Sequence, residues 1–185
     1  MEQNNEIIAL IISIFTTLFA VAGMQFKSMK VIIVSQLLAN TLLGVQYVLE
    51  DRLSASGIVM IAIVLTIISF VFSYKKMDFP IWLVIVFCVG FAVVSVLSYQ
   101  NAWDILPLVA VWFFAWAMVQ KNSAVCRILS LCNVLLWLIY DIALAPSAIL
   151  THAVIIVFTV VGIIRQDRKE WAAFFKKIFG KTDVA

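Results

Sequence analysis

The sequence is poor in charged residues, glycine, proline and histidine. Only 12% of its 185 residues are charged, and it holds six glycines, three prolines and one histidine, whereas 65% of it is hydrophobic. A water-soluble domain of this size cannot bury so much apolar surface, because a small domain keeps a large share of its residues at the surface. A lipid bilayer is therefore the expected surrounding of this chain.

The sequence also lacks the residue patterns of enzymes and metal centres. It has no carboxylate pair, no nucleophile beside a base and no glycine-rich phosphate loop. Its cysteines, Cys88, Cys126 and Cys132, are odd in number and show no metal-binding spacing, so we interpret them as packing residues. We predict no catalytic residue, no metal and no cofactor. We also predict no nucleic-acid partner, because the basic residues lie in short connections between apolar runs.

Seven apolar runs fill most of the chain. Each approaches the roughly 20 residues that cross a bilayer, and none alternates as a barrel strand would, so helices are predicted. The predicted helices are residues 7–25, 31–49, 53–73, 80–98, 103–119, 124–144 and 146–164.

The basic residues predict an orientation. Twelve of the 13 lie in alternate connections or after the last run, and only Arg52 lies on the other side. Because cytoplasmic loops are rich in lysine and arginine, we place the N-terminus outside and the C-terminus in the cytoplasm. The tail, residues 166–185, carries Trp171, Phe174 and Ile178 at helical spacing with lysines off that stripe. This pattern predicts an amphipathic helix in the membrane interface, with packing on the end of the bundle as the alternative.

The chain repeats itself weakly at a shift of 93 residues. Asn40 then falls on Asn133, Tyr47 on Tyr140 and Thr66 on Thr159. We therefore predict an all-α membrane protein with two parallel three-helix repeats joined by a linker helix. The units are residues 1–76, 77–99 and 100–165, followed by the tail. Parallel repeats are one recurring transporter plan, with substrate between the halves, although a duplication kept only for packing is the alternative.

Two amides near the middle of their spans define the candidate site. Asn40 and Asn133 should face the bundle interior, because an amide facing lipid would lack a partner. We predict that they bind a small polar molecule, with Tyr47, Trp137 and Tyr140 on the outer side; hydrogen bonds between helices are the alternative. Secondary candidates are Gln36, Thr66, His152 and Thr159.

Three further residues carry weaker expectations. No carboxylate partner is apparent for His152 in the sequence, so a proton relay or a contact with substrate stays open. Asp141 lies near an outer helix end, where we expect it to be solvated or to lie at the rim. Pro107 lies inside the fifth run, which it should loosen or kink.

Several short segments carry a family resemblance. They are Ile105-Leu106-Pro107, Trp116, Arg127, Trp137-Leu138-Ile139-Tyr140, Ser147 and Ile163-Ile164-Arg165. In these the chain resembles the bacterial inner-membrane proteins of the YgjV family, which is grouped with PQ-loop and SWEET-like proteins. The resemblance implies the inner membrane and a three-plus-one-plus-three fold shared with sugar, vitamin-precursor and amino-acid carriers. The sequence departs from that group in lacking a Pro-Gln pair.

Together these features predict a small-molecule transporter or facilitator with a central site. The alternative is a non-transporting membrane component that binds a protein partner or lipid. The expected partners are the bilayer and a small polar molecule, and a homo-oligomer stays open.

Overall fold

The computed structural model describes the backbone of residues 2–49, 53–99, 102–144 and 149–179. It describes the side chains of residue 8 and of residues 10–49, 56–99, 102–143 and 149–168. The described backbone forms seven α-helices and one short 3₁₀-helix, and it contains no strand, which confirms the all-helical prediction. The helices are α1 Glu2–Met24, α2 Met29–Leu49, α3 Leu53–Tyr74, α4 Ile81–Leu97, α5 Ile105–Met118, α6 Ser123–Leu144 and α7 Ile149–Phe179.

Four stretches of these helices are long and apolar enough to cross a membrane. They are Met29–Leu49, Ser56–Tyr74, Ser123–Ala143 and Ile149–Arg168, and shorter apolar helices run over Leu10–Met24, Ile81–Leu97 and Ala102–Met118. Large apolar side chains cover the outside of the bundle; Leu97 is 82% exposed and Leu150 is 74% exposed. Water would strongly disfavour so much contiguous apolar surface, whereas lipid tails match it.

Pro107 lies at the start of α5 rather than in its interior. Residues Ala102–Asp104 form the 3₁₀-helix, and α5 begins only at Ile105. Pro107 therefore lies in the first turn of α5, where a backbone N–H would have no partner within the helix. The expectation of a mid-helix proline was wrong because the apolar run was taken to begin at Trp103, whereas α5 begins at Ile105.

The last helix continues into the tail. The seventh apolar run ends near Ile164, but α7 extends without interruption to Phe179. Its backbone thus includes most of the segment in which we predicted a separate amphipathic helix. The tail side chains from Lys169 onward lie outside the described side chains, so its orientation in the membrane stays a prediction.

Six of the seven helices close a ring. Along the chain, α1 contacts α2, α2 contacts α3, α5 contacts α6 and α6 contacts α7, while α3 meets α5 and α1 meets α7. The helix α4 packs outside this ring against α3 and α5. The apolar core, which includes Leu65, Phe91, Phe114 and Met118, joins α4 to the ring.

The short turns between helices place the lysines at one end of the bundle. Successive helices alternate in direction, so the turns α1–α2, α3–α4 and α5–α6 lie at the same end as the C-terminal half of α7. Lys27, Lys76 and Lys121 lie in these three turns and are exposed. We call this the lysine-rich end.

Candidate functional site

A cavity of about 90 Å³ lies within the ring. Side chains from α1, α2, α3, α5, α6 and α7 line it, so every helix of the ring contributes. Its apolar walls include Met24, Phe114 and Trp137. Its polar lining comprises Thr16, Gln36, Asn40, Ser130, Asn133, Thr151, His152 and Thr159.

Four polar atoms at this cavity are buried without a hydrogen-bond partner. They are Thr16 Oγ1, Asn40 Nδ2, Ser130 Oγ and Asn133 Oδ1. Leaving such a group unpaired in an apolar interior costs about 1–3 kcal/mol, so buried polar groups are normally satisfied. A donor on α2 and an acceptor on α6 thus border one small space, where a polar solute could satisfy both.

One face of α6 supplies much of the polar surface. Ser130, Asn133 and Trp137 follow one another at intervals of three and four residues, which places them on the same side of a helix. The same interval leads back to Arg127 and forward to Asp141. The residues of this face lie in three different environments. Arg127 forms a buried ion pair, the middle residues line the cavity, and Asp141 contacts a buried histidine.

His152 has a carboxylate partner after all. Its Nδ1 lies in hydrogen-bonding contact with Asp141 Oδ2, and both residues are buried, with exposures of 8% and 1%. Trp137 stacks on the imidazole, with ring planes 13° apart and centroids 6.1 Å apart. The expectation of a solvated Asp141 was therefore wrong. The carboxylate turns into the bundle, where it orients a histidine that lines the cavity.

Trp137 also separates the cavity from a second, smaller one. The second cavity, of about 20 Å³, is lined by Ser95, Asp104 and Tyr140, and both cavities share Ile58 and Trp137. The indole packs edge-on against the Tyr140 ring at a centroid distance of 5.8 Å. Ile58 and this indole therefore form a wall that the two cavities share.

The candidate residues predicted from the sequence divide into two groups. The structure brings together at the central cavity Gln36, Asn40, Asn133, Trp137, His152 and Thr159. Tyr140 lines the smaller cavity instead, and Tyr47 is buried elsewhere. Thr66 is fully buried, and its hydroxyl donates to the carbonyl of Ala62 in its own helix at 2.7 Å.

Sequence reasoning missed the most buried charge among the described side chains. Arg127, which we counted among the loop cations, is 0% exposed, and its Nη1 donates to both carboxylate oxygens of Asp167 at 2.7 and 2.8 Å. Its Nε donates to the Met24 carbonyl at 2.9 Å, and its Nη2 contacts the Phe26 carbonyl. The available signal was Asp167, an acid within the basic stretch after the last apolar run.

The turn between α1 and α2 is held at several further points. Arg165 Nη2 and Gln166 Nε2 donate to the Gln25 carbonyl at 2.9 and 3.1 Å, and Gln25 Nε2 donates to the Phe158 carbonyl at 2.7 Å. Together with Arg127 these bonds fasten the lysine-rich end of α1 to α6 and α7. They close the ring on the side of the cavity that faces the lysine-rich end.

A comparison with protein-family models matches residues 7–170 to the model Imp-YgjV, described as a bacterial inner membrane protein. The match covers most of the chain and all the residues that line the cavity. The chain belongs to the Imp-YgjV family.

Membership in this family, together with the apolar helices, makes the chain an integral protein of the bacterial inner membrane. No curated protein and no solved structure matches it. Among the described residues of this Imp-YgjV protein, no group of three or more histidine, cysteine or acidic side chains could hold a metal ion. The chemistry of the cavity is that of hydrogen bonding and of one buried histidine–carboxylate pair.

Proposed function

We propose that this protein is a carrier or facilitator for a small polar molecule, which binds in the central cavity between two three-helix repeats. The observation that carries the proposal is the pair of unpartnered amide atoms, Asn40 Nδ2 and Asn133 Oδ1, at one cavity. A component whose interior served only for packing would have little reason to leave a donor and an acceptor unpaired beside an open space.

The order of helix contacts supports the repeat. If α1, α2 and α3 are exchanged with α5, α6 and α7, the contact of α1 with α2 becomes that of α5 with α6, and the contact of α2 with α3 becomes that of α6 with α7. The contact of α1 with α7 becomes that of α5 with α3, which is also present. This pattern is the one expected of two parallel repeats around an axis along the membrane normal, with α4 as the linker.

The geometry of the cavity constrains the solute. It has to be small, because the cavity measures about 90 Å³ and an apolar cavity of about 150 Å³ accommodates benzene. It has to carry an acceptor for Asn40 and a donor for Asn133, as amides, amino acids and polyols do. Trp137 would contribute an apolar face, and His152, oriented by Asp141, a polar edge.

The membrane orientation belongs to the same proposal. We place the lysine-rich end in the cytoplasm and the N-terminus outside, because lysine and arginine concentrate on the cytoplasmic side of inner-membrane proteins. The ion pair of Arg127 and Asp167 would then close the cytoplasmic side of the cavity, and Trp137 the outer side.

Two other functions are disfavoured by the same observations. A non-transporting component that binds a partner or lipid would favour a dry, tightly packed centre, whereas this centre holds a cavity with polar lining. Many enzymes use a nucleophile beside a base or a pair of positioned carboxylates. The sequence shows neither pattern, so we propose that the protein is not an enzyme.

Ligand-dependent stabilisation of the purified full-length protein tests this function. We expect at least one member of a panel of small amides, amino acids and polyols to raise the melting temperature, since a ligand that binds only the folded state stabilises it by mass action. Asn40→Ala and Asn133→Ala should each abolish that rise. Thr41→Val is the matched control, because Thr41 is an exposed neighbour on α2 whose hydroxyl bonds its own helix.

Uptake of the stabilising compound into liposomes then separates transport from binding alone. Uptake by the wild type and the Thr41 variant, but not by the two asparagine variants, would support a carrier. If both asparagine variants keep the ligand-dependent shift, the central site is disproved. If the ligand binds but never crosses, the protein is a receptor-like component rather than a carrier.

A further inference from the structure

Two adjoining pockets lie at the lysine-rich end, away from the central cavity. The deeper one, of about 270 Å³, lies among α2, α3 and the end of α5. The wider one, of about 600 Å³, lies between the starts of α2 and α6. Both are lined by Met29, Ser73 and Lys121, so they form one continuous depression, which we call the lysine basin.

The basin is strongly positive. Lys27, Lys30 and Lys121 line its wide part, and Lys76 with Lys121 lines its deep part. No carboxylate is among the described residues that line either part. Asp78 pairs with Lys121 from outside the lining. The Lys30 ammonium lies 5.0 Å from the centre of the Tyr74 ring, a cation–π contact that positions it at the rim.

Two helix N-termini reinforce this charge. The helices α2 and α6 begin at Met29 and Ser123, and both residues line the wide part of the basin. Free backbone N–H groups at such ends attract anions, and the helix dipoles add partial positive charge. Asn122 Oδ1 accepts the Ala124 N–H at 2.7 Å, which leaves other N–H groups of this first turn available.

A buried hydroxyl marks the floor of the basin. Ser69 is 2% exposed, lines the deep part, and its Oγ has no hydrogen-bond partner. Its surroundings are otherwise largely apolar, with Ile33, Phe72 and Met118 in the same wall. An unpaired hydroxyl beneath a group of lysines is the arrangement that an anion with hydrogen-bonding oxygens would complete.

The corresponding place on the other side of the bundle is filled. There the α1–α2 turn meets α6 and α7, and the Arg127–Asp167 ion pair occupies the space. Here the α5–α6 turn meets α2 and α3, and the space is open. The protein thus supplies its own carboxylate at one junction and presents only cations and a hydroxyl at the other.

We propose that the lysine basin binds a phosphate group, and that the apolar wall of its deep part favours the head group of an anionic phospholipid over free phosphate. The phosphate oxygens would contact the lysines and the helix starts, and one oxygen would accept a hydrogen bond from Ser69. Basic pockets between helices at a membrane surface commonly hold such head groups.

The test is a titration of the purified full-length protein with short-chain phosphatidylglycerol, with phosphatidylcholine and with inorganic phosphate, followed by tryptophan fluorescence. We expect saturable binding of phosphatidylglycerol. Lys30→Gln combined with Lys121→Gln should weaken it about 25-fold, since each lysine near a phosphate contributes about a factor of five. Ser69→Ala should weaken it about tenfold without any change in charge.

The matched control combines Lys75→Gln with Arg168→Gln, two exposed cations at the same end that do not line the basin. This control removes the same charge and should leave the affinity within about twofold. Equal loss in both double variants would mean diffuse surface attraction and would overturn the proposal, as would unchanged binding in the basin variant. Binding of inorganic phosphate with the same sensitivity, and without lipid binding, would assign the site to free phosphate.

Each variant is first checked for the wild-type melting temperature. If Ser69→Ala lowers the melting temperature, the comparison of the two double variants decides whether the basin binds the lipid.

Discussion

The side chain of Arg127 connects more elements of the fold than any other described side chain. Its guanidinium bonds a carboxylate of α7, the last carbonyl of α1 and a carbonyl of the α1–α2 turn, while its own backbone belongs to α6. A planar guanidinium suits this task because it offers five N–H donors in a fixed arrangement, which a lysine ammonium lacks. Burial of the charge is tolerated because nearly every donor has an acceptor.

Removing either member of this ion pair should destabilise the protein strongly. In Arg127→Gln, the Asp167 carboxylate remains buried without its cation, at a cost of about 3–5 kcal/mol. The melting temperature of the purified protein in detergent measures the loss. Arg168→Gln is the control, because Arg168 is exposed and its replacement should change stability by about 0.5 kcal/mol or less.

The double variant Arg127→Met with Asp167→Leu sharpens this prediction. Two apolar residues leave no uncompensated charge, so part of the lost stability should return. If the double variant is less stable than Arg127→Gln alone, the carbonyl contacts of Met24 and Phe26 matter more than the charge pair.

The site residues show what a sequence pattern can and cannot locate. Asn40 and Asn133 were identifiable because an amide at mid-span must face the interior. Tyr47 shares the helix face of Asn40, but seven residues advance about 10 Å along the axis, so it lies beyond the small cavity. The pairing of His152 with Asp141, and of Arg127 with Asp167, depends on how α6 packs on α7, and no local pattern encodes that.

Among the helices, the contact of α7 with the end of α1 is unusually close. A Cβ added to Gly162 would lie 2.5 Å from the carbonyl oxygen of Met24, a backbone atom that cannot simply rotate away. The absence of a side chain at Gly162 is therefore what lets α7 approach the turn that Arg127, Arg165 and Gln166 bind.

Gly162→Ala should push α7 away from the end of α1. We expect a loss of about 1–3 kcal/mol of stability, the usual cost of overpacking, measured by thermal unfolding in detergent. Gly90→Ala on α4 is the matched control, because its nearest neighbour would be the Ile61 Cδ1 atom at 3.9 Å, an ordinary contact. That variant should be neutral or gain up to about 1 kcal/mol. Equal melting temperatures for the two variants would contradict the close approach.

For the whole molecule, hydropathy was sufficient to predict the helices, but it could not predict how they pack together. Each predicted helix has a counterpart, although α5 starts later and α7 extends further than the apolar runs indicate. The closed order of six helices, with α4 outside, arises from contacts between segments far apart in sequence. A shift of 93 residues suggested two related halves, but only tertiary contacts could say which helices meet.

The proposed orientation predicts the outcome of reporter fusions. Fusions after residues 28, 76, 122 and 185 should report the cytoplasm, and those after 52 and 101 the outside, because lysine and arginine are retained on the cytoplasmic side. Alkaline phosphatase and green fluorescent protein fusions, active on opposite sides, measure this. A cytoplasmic signal at residue 52 or 101 would contradict the seven-span arrangement.

The contacts of Arg127 also have a consequence for how the chain is made. The Met24 and Phe26 carbonyls are separated from Arg127 by 103 and 101 residues. At about 5–20 residues per second, the ribosome needs roughly 5–20 s to deliver that arginine after the turn has emerged, and Asp167 follows later still. During this interval the first helices enter the membrane with their turn unfastened. The carboxyl-terminal third of the chain therefore supplies the last contacts that fasten the end of α1 to α6 and α7.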